Sequence, residues 1–300
     1  MRETSMSNDL NFDPNRPLFV PSGERFPIAQ SQGALAMAFA SGRPVLIYLH
    51  GRAKGIGEPR KSVQTNIYRG LGSYGVSVIG FTWDADDGGY DETRPLESAD
   101  NFDRFLDALA EFQDSAAGRD EAKPSLIAHS MGNLIVAELA KEGRLDSGRG
   151  MLFRNIVMNA AAVKAKRHHM WLEKIGTAQR NYVMINQQDK VLLFAGFLFR
   201  PNMLGRELRG PGAASDRTTY VELSQLGVNH RYFVPAAQNN QASLRSFFAQ
   251  ALVGHDVNFD GIAEPEGVDG IKVRRLKPGG ILHEVAADAD LGSVQDEDQD

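Results

Sequence analysis

Ala128-His129-Ser130-Met131-Gly132 carries the residue types of a nucleophile held on a tight turn. Small residue, x, Ser, x, Gly between a short strand and a helix leaves the serine Oγ exposed at the helix N-terminus. Both ends of the motif are small because a bulky side chain would clash in so sharp a turn. The first is Ala128 rather than glycine, a departure that a small side chain tolerates. Ser125-Leu126-Ile127 supplies the strand, and Asn133–Lys141 has apolar residues at helical spacing. The plainer alternative is a serine that merely caps a helix, so the rest of the chain must decide.

A serine hydroxyl is a weak nucleophile near neutral pH. It needs an adjacent base to take its proton, and the base needs a group to orient it. On a strand-turn-helix elbow of this kind the chain order is Ser, then Asp or Glu, then His. Of the seven histidines, His50 and His129 precede Ser130, His168 and His169 sit in a basic stretch, and His283 lies near the C-terminus. His230 and His255 remain. His230 falls between the last expected strand and the last expected helix, where a base at the carboxyl edge of a sheet belongs. His255 follows that helix and would have to fold back. The orienting acid should end the preceding strand, and Asp189 follows the run Asn181–Asn186. Asp84, after Trp83, is the competing carboxylate, and an ordinary turn aspartate is the bland reading.

Acyl transfer also needs donors where the oxyanion forms. The amide of Met131, directly after the nucleophile and at a helix N-terminus, is one. The loop after the first buried strand, His50-Gly51-Arg52, offers the amide of Gly51 or Arg52 as the other.

Behind these residues stand alternating strands and helices. Pro44–Leu49, Gly75–Trp83, Ser125–Ile127, Leu152–Asn159, Asn181–Asn186 and Thr218–Leu223 read as strands, the last of these as the final one. Several are continuous apolar runs, as expected of strands buried on both faces. Gln32–Ala40, Ser62–Leu71, Ala99–Phe112, Asn133–Lys141 and Gln241–Leu252 read as helices. This alternation predicts parallel β-α-β units with right-handed crossovers, hence an α/β fold. Three segments follow: an extended, Pro-punctuated N-terminal arm over 1–30, a single α/β domain over 31–255 with room for a small cap within 160–215, and an acidic, mobile tail over 256–300.

Composition narrows the function class. The formal charge is −5, and seven acids with no base lie between Glu284 and Asp300, leaving a near-neutral body. That does not suggest a nucleic-acid binder. There are no cysteines, which excludes disulfides, thiolate metal sites and cysteine nucleophiles. No apolar run approaches a membrane span, and Met1–Asp9 has no apolar signal region, so the expected location is cytoplasmic. Gly51–Gly57 lacks the spacing and Lys-Ser/Thr ending of a phosphate loop. Asp256–Gly261 matches half a calcium loop, but Gly267 stands where the bidentate glutamate belongs, so a polar turn is the better reading. Lys164–His169 could face an anionic substrate or membrane, with solvated surface as the default. Val191–Phe199 could line an acyl pocket, or be core or a partner-facing helix.

These motifs resemble the α/β-hydrolase superfamily, and most nearly the bacterial esterase/lipase-like hydrolases whose elbow reads Ala-His-Ser-Met-Gly-Asn. The resemblance runs through Tyr48–Gly51, Phe81–Trp83, Ala128–Asn133, Asp189–Leu192 and His230–Phe233, over roughly residues 44–250. It implies a mostly parallel central sheet with helices on both faces, and a triad carried onto Ser130, Asp189 and His230. Relatives often place an acid just after the strand that follows the elbow helix. Here that position reads Ala160-Ala161-Ala162-Val163, which favours Asp189. The expectation is a serine hydrolase acting on a small-molecule carboxylic ester without a metal or organic cofactor. Amide or thioester cleavage uses the same constellation. A non-catalytic scaffold that binds a ligand or protein partner is the reading from a different class.

Overall fold

The computed structural model describes residues 18–21, 28–52, 61–83, 92–115, 123–198, 202–208, 215, 217–268 and 271–279. Among them, nine strands form one sheet: β1 (Leu18–Pro21), β2 (Val45–Leu49), β3 (Ser77–Thr82), β4 (Ser125–His129), β5 (Phe153–Asn159), β6 (Ala178–Ile185), β7 (Thr218–Glu222), β8 (Ala263–Val268) and β9 (Ile271–Leu276). Their order across the sheet is β1-β3-β2-β4-β5-β6-β7-β9-β8. Every neighbouring pair is parallel except β8 and β9. β2 and β4 are buried along their whole length, as their unbroken apolar runs require.

The helices are α1 (Ile28–Phe39), α2 (Lys61–Gly72), α3 (Thr93–Glu97), α4 (Ala99–Asp114), α5 (Gly132–Lys141), α6 (His169–Leu172), α7 (Lys190–Leu198) and α8 (Ala242–Leu252). Right-handed crossovers dictate their faces. The step from β2 to β3 runs one way along the sheet, and those from β3 to β4 and onward run the other way. α2 therefore covers the opposite face from α4 and α5. α1 packs on α4, and α5 on α4 and α6; α8 lies across β4 and β5 with Phe248 against Tyr74 just after α2. Helices thus flank both faces, in the arrangement of an α/β-hydrolase fold.

α4 shows how sequence sets this packing. Phe102, Phe105, Leu106, Leu109 and Phe112 recur at helical spacing and are buried, with the Phe81 and Phe102 rings meeting at 4.9 Å. Asp100, Asp103 and Asp107 on the outer face meet Arg144 and Arg149 beyond α5. Exposed pairs of this kind fix orientation more than they stabilise.

The reversal of direction leaves a crevice between the carboxyl ends of β2 and β4, the place where open parallel sheets bind ligands. His50-Gly51 leaves β2 there, and Ser130 leaves β4.

The structure corrects the reading of the C-terminal segment. The sequence predicts a mobile tail from residue 256 onward, after a last strand at β7. Instead β8 and β9 form a hairpin, and β9 joins β7 in parallel. Val257 and Ile262 just before it, and Val273 and Leu276 on β9, are buried. Its Gly- and acid-rich composition reads as a tail, and Pro265 interrupts any strand pattern. Yet β8 lies at the sheet edge, where a proline that cannot donate to a ladder is tolerated. The half calcium loop runs into β8, and Asn258 Oδ1 accepts from the Asp260 amide at 2.9 Å as in an ordinary Asx turn. At the other end, β1 is an edge strand paired with β3 and α1 begins at Ile28. Met1–Pro17 of the arm and the acids of Glu284–Asp300 lie outside the described residues.

Candidate active site

Ser130 adopts a left-handed backbone with φ of 53° at the β4–α5 turn. A side chain pays for this conformation in strain, on the order of 1–2 kcal/mol, so the surroundings must impose it. Ser130 N donates to Asn159 O at 3.0 Å, and Ser130 O accepts from the amides of Asn133 at 3.1 Å and Ala162 at 3.2 Å. The Asn133 side-chain amide donates to the carbonyls of Ala128, Ser130 and Asn159. One buried asparagine thereby ties together both sides of the elbow.

Glycines at 51 and 132 follow from the crowding. A Cβ on Gly132 would lie 2.6 Å from His50 O and 2.8 Å from Leu49 O. A Cβ on Gly51 would lie 2.7 Å from Ser130 Cβ. The loop after β2 is thus in van der Waals contact with the serine. Among the described residues, no acceptor takes the amide of Met131, Gly51 or Arg52. These are the three amides named from the sequence as oxyanion donors.

His50 shapes that loop from within. Trp83 N donates to its Nε2 at 3.0 Å, so its proton sits on Nδ1 and goes to Gly51 O at 2.5 Å. Trp83 Nε1 returns a bond to His50 O, and the two rings stack at 5.3 Å. Burial pushes the His50 pKa down to about 4, holding the ring neutral.

Asp189 and His230 are joined directly: His230 Nδ1 lies 2.7 Å from Asp189 Oδ2. Asp189 is fully buried, and its other oxygen accepts from the amides of Val191 and Leu192 at 3.0 and 2.9 Å. The carboxylate thus caps α7 while holding the imidazole, and the helix N-terminus favours its negative charge. The Tyr232 hydroxyl oxygen accepts the Ala160 amide at 2.9 Å, anchoring the His230 loop to the end of β5.

The link from His230 to the elbow runs through a residue the sequence reading passed over. The rings of His129 and His230 lie 4.7 Å apart, and His129 also packs on Phe233 at 4.8 Å. The Asn159 side-chain amide donates to His129 Nδ1 at 3.1 Å. Burial, with further opposition from His230, Arg231 and His50, holds the His129 pKa well below its ordinary value. His129 and Asn159 stand opposite each other in the β4–β5 register, a pairing visible only once the strands are aligned. Among the described residues the Ser130 hydroxyl makes no hydrogen bond. Such bonds often form only when substrate is bound.

The competing residues fall elsewhere. His255 is exposed, and its carbonyl accepts from Asn155, four residues before Asn159 on β5. That places it about 13 Å away along the strand, toward the amino edge. Asp84 and His283 lie outside the described residues. His168 is buried between Ala165 O and the Tyr220 hydroxyl, a structural position.

The model of one protein family, described as an alpha/beta hydrolase of unknown function (DUF900), matches residues 35–206, a span holding Gly51, Ser130 and Asp189. No curated protein and no solved structure matches the chain.

Proposed function

The chain belongs to this family of alpha/beta hydrolases of unknown function, and from that premise we propose that it is a serine hydrolase cleaving a carboxylic ester through an acyl-enzyme. The observation that carries the reading is the 2.7 Å bond from buried Asp189 to His230, at the same sheet edge as a serine in left-handed backbone. An ordinary turn aspartate or helix-capping serine needs neither feature.

In this reading Ser130 Oγ attacks the ester carbonyl carbon as its proton passes to His230 Nε2. Asp189 keeps the other imidazole proton on Nδ1, so that Nε2 is free to accept, and offsets the positive charge that develops. The carbonyl oxygen becomes an oxyanion that the Met131 amide and that of Gly51 or Arg52 would stabilise, donors that meet no other acceptor among the described residues. Collapse of the tetrahedral species breaks the bond to the alkoxy oxygen, which leaves as alcohol with the proton from His230. Water, deprotonated by His230, then releases the acid and restores Ser130. Amide and thioester bonds submit to the same steps, so a substrate screen should include them.

A fluorophosphonate probe tests this directly, because it reacts with activated serines whatever the natural substrate. Labelling of the wild-type protein and not of Ser130→Ala is the expected result, with loss of p-nitrophenyl acetate hydrolysis in the variant. Absence of labelling in both, with no hydrolysis of ester, amide or thioester, would favour a ligand-binding scaffold instead.

A further inference from the structure

Large apolar side chains left in solvent are few among the described residues, and they are not scattered. Phe194 is 66% exposed, Val191 52% and Leu193 50%, all on α7, and Met170 is 56% exposed in the segment after β5. The remaining one, Met151, precedes β5 at the opposite edge of the sheet.

The two segments are neighbours. Residues 161–165 run antiparallel to 202–205: Ala165 N bonds Asn202 O, Leu204 N bonds Val163 O, and Gly205 N bonds Ala161 O. Leu192, on the inward side of α7, packs against Gly205 of this ribbon. The outward side of α7 is therefore left with Val191, Leu193 and Phe194. Along the ribbon Val163 and Ala165 are buried while Lys164, Lys166 and Arg167 are exposed, and Lys190 is exposed at the start of α7. Residues 160–170 and 190–198 together contain four Lys or Arg and no Asp or Glu, in a chain whose net charge is −5.

We propose that this face docks the protein on an anionic lipid surface, with α7 lying in the plane of the interface. An exposed apolar helix face that begins at Lys190, on a helix packed against a ribbon carrying exposed Lys164, Lys166 and Arg167, has the chemistry of interfacial binding. α7 is too short to span a bilayer, and no helix among the described residues is long and apolar enough to do so. A second copy of the chain is the poorer occupant, because face-to-face pairing about a two-fold axis would bring these cations together. The face begins one residue after Asp189, at the carboxyl edge of the sheet. Docking there would bring the candidate site close to the lipid, although binding itself does not depend on the reaction assigned to Ser130.

The test is co-sedimentation of the full chain with vesicles of phosphatidylcholine alone and with added phosphatidylglycerol. The expected result is binding to the anionic vesicles, weakened by high salt. Leu193→Ser with Phe194→Ser should lower the partition coefficient at least about tenfold. Replacing Lys164, Lys166 and Arg167 with Ser should lower it roughly a hundredfold. Fluorophosphonate labelling in solution should be unchanged in both variants, which separates this outcome from the identity of the nucleophile. No binding to either vesicle, or binding that ignores both sets of substitutions, would overturn the proposal. So would a dimer that the Phe194 substitution dissociates without any vesicle binding.

Discussion

The Tyr232 hydroxyl accepts the amide of Ala160, a residue with left-handed φ of 46° just past the end of β5. The bond joins the His230 loop to the strand beside the elbow through one fully buried oxygen. Tyr232→Phe leaves the Ala160 N–H without a partner in the interior. It should cost about 1–3 kcal/mol in denaturant unfolding and lower kcat more than it raises KM. Unchanged stability would mean that the loop is held by packing alone.

The two oxygens of Asp189 separate its two roles. In Asp189→Asn the side-chain oxygen still caps α7, but the amide nitrogen faces His230 and favours the tautomer that cannot accept the serine proton. Ester hydrolysis should fall about 10⁴-fold with little change in Tm. Asp189→Ala removes the cap as well and should add about 1 kcal/mol of destabilisation. Equal Tm losses in the two variants would contradict this division.

Gly132 of the elbow and Gly51 of the facing loop should respond differently to alanine. A Cβ at 132 meets two backbone carbonyl oxygens, so the end of β2 must move, and about 3 kcal/mol of stability should be lost. A Cβ at 51 meets Ser130 Cβ at 2.7 Å and His129 O at 3.0 Å. It should displace the nucleophile, lowering kcat/KM about a hundredfold at a smaller cost in Tm. Thermal melts and ester kinetics on both variants read this contrast.

Buried neutral histidines make the fold sensitive to acid. The pKa values of His50 and His168 are pushed down to about 4 by burial, and that of His129 is lowered too. Below the ordinary value of 6.5 the unfolded chain takes up protons that the folded chain refuses. The stability these groups contribute is therefore full above 6.5 and is lost as pH falls toward 4. By pH 4 the loss should reach about 3 kcal/mol for His168 alone. His168→Gln should flatten the decline of Tm between pH 6.5 and 4, and an unchanged slope would refute the assignment.

Much of this molecule is legible in one dimension because the relevant signals are local. Val45–Leu49 and Ser125–His129 are apolar strands that end at a sharp turn, and both turns carry small residues. The order Ser130, Asp189, His230 singles out a pair that lies in direct contact in the fold. What escapes is set by distance in sequence. His129 meets His230 across the elbow, and Asn159 reaches His129 only through strand register. The hairpin of β8 and β9 escapes for another reason. Its ladder tolerates Pro265 because the outer strand has no second neighbour among the described residues, and its hold on the body comes from remote groups such as Ser243, which donates to Lys277 O.

That hairpin also determines where the chain can be shortened. β9 occupies the flank of β7, and β8 ends the sheet with a proline and the glutamates at 264 and 266. A chain cut after α8 would leave β7 as a bare parallel edge, with Tyr220 and Val221 on a strand that has lost its outer partner. Unpaired edges of this kind recruit strands from other molecules. Removal of everything past residue 255 should therefore yield aggregates, seen as high-mass species in light scattering.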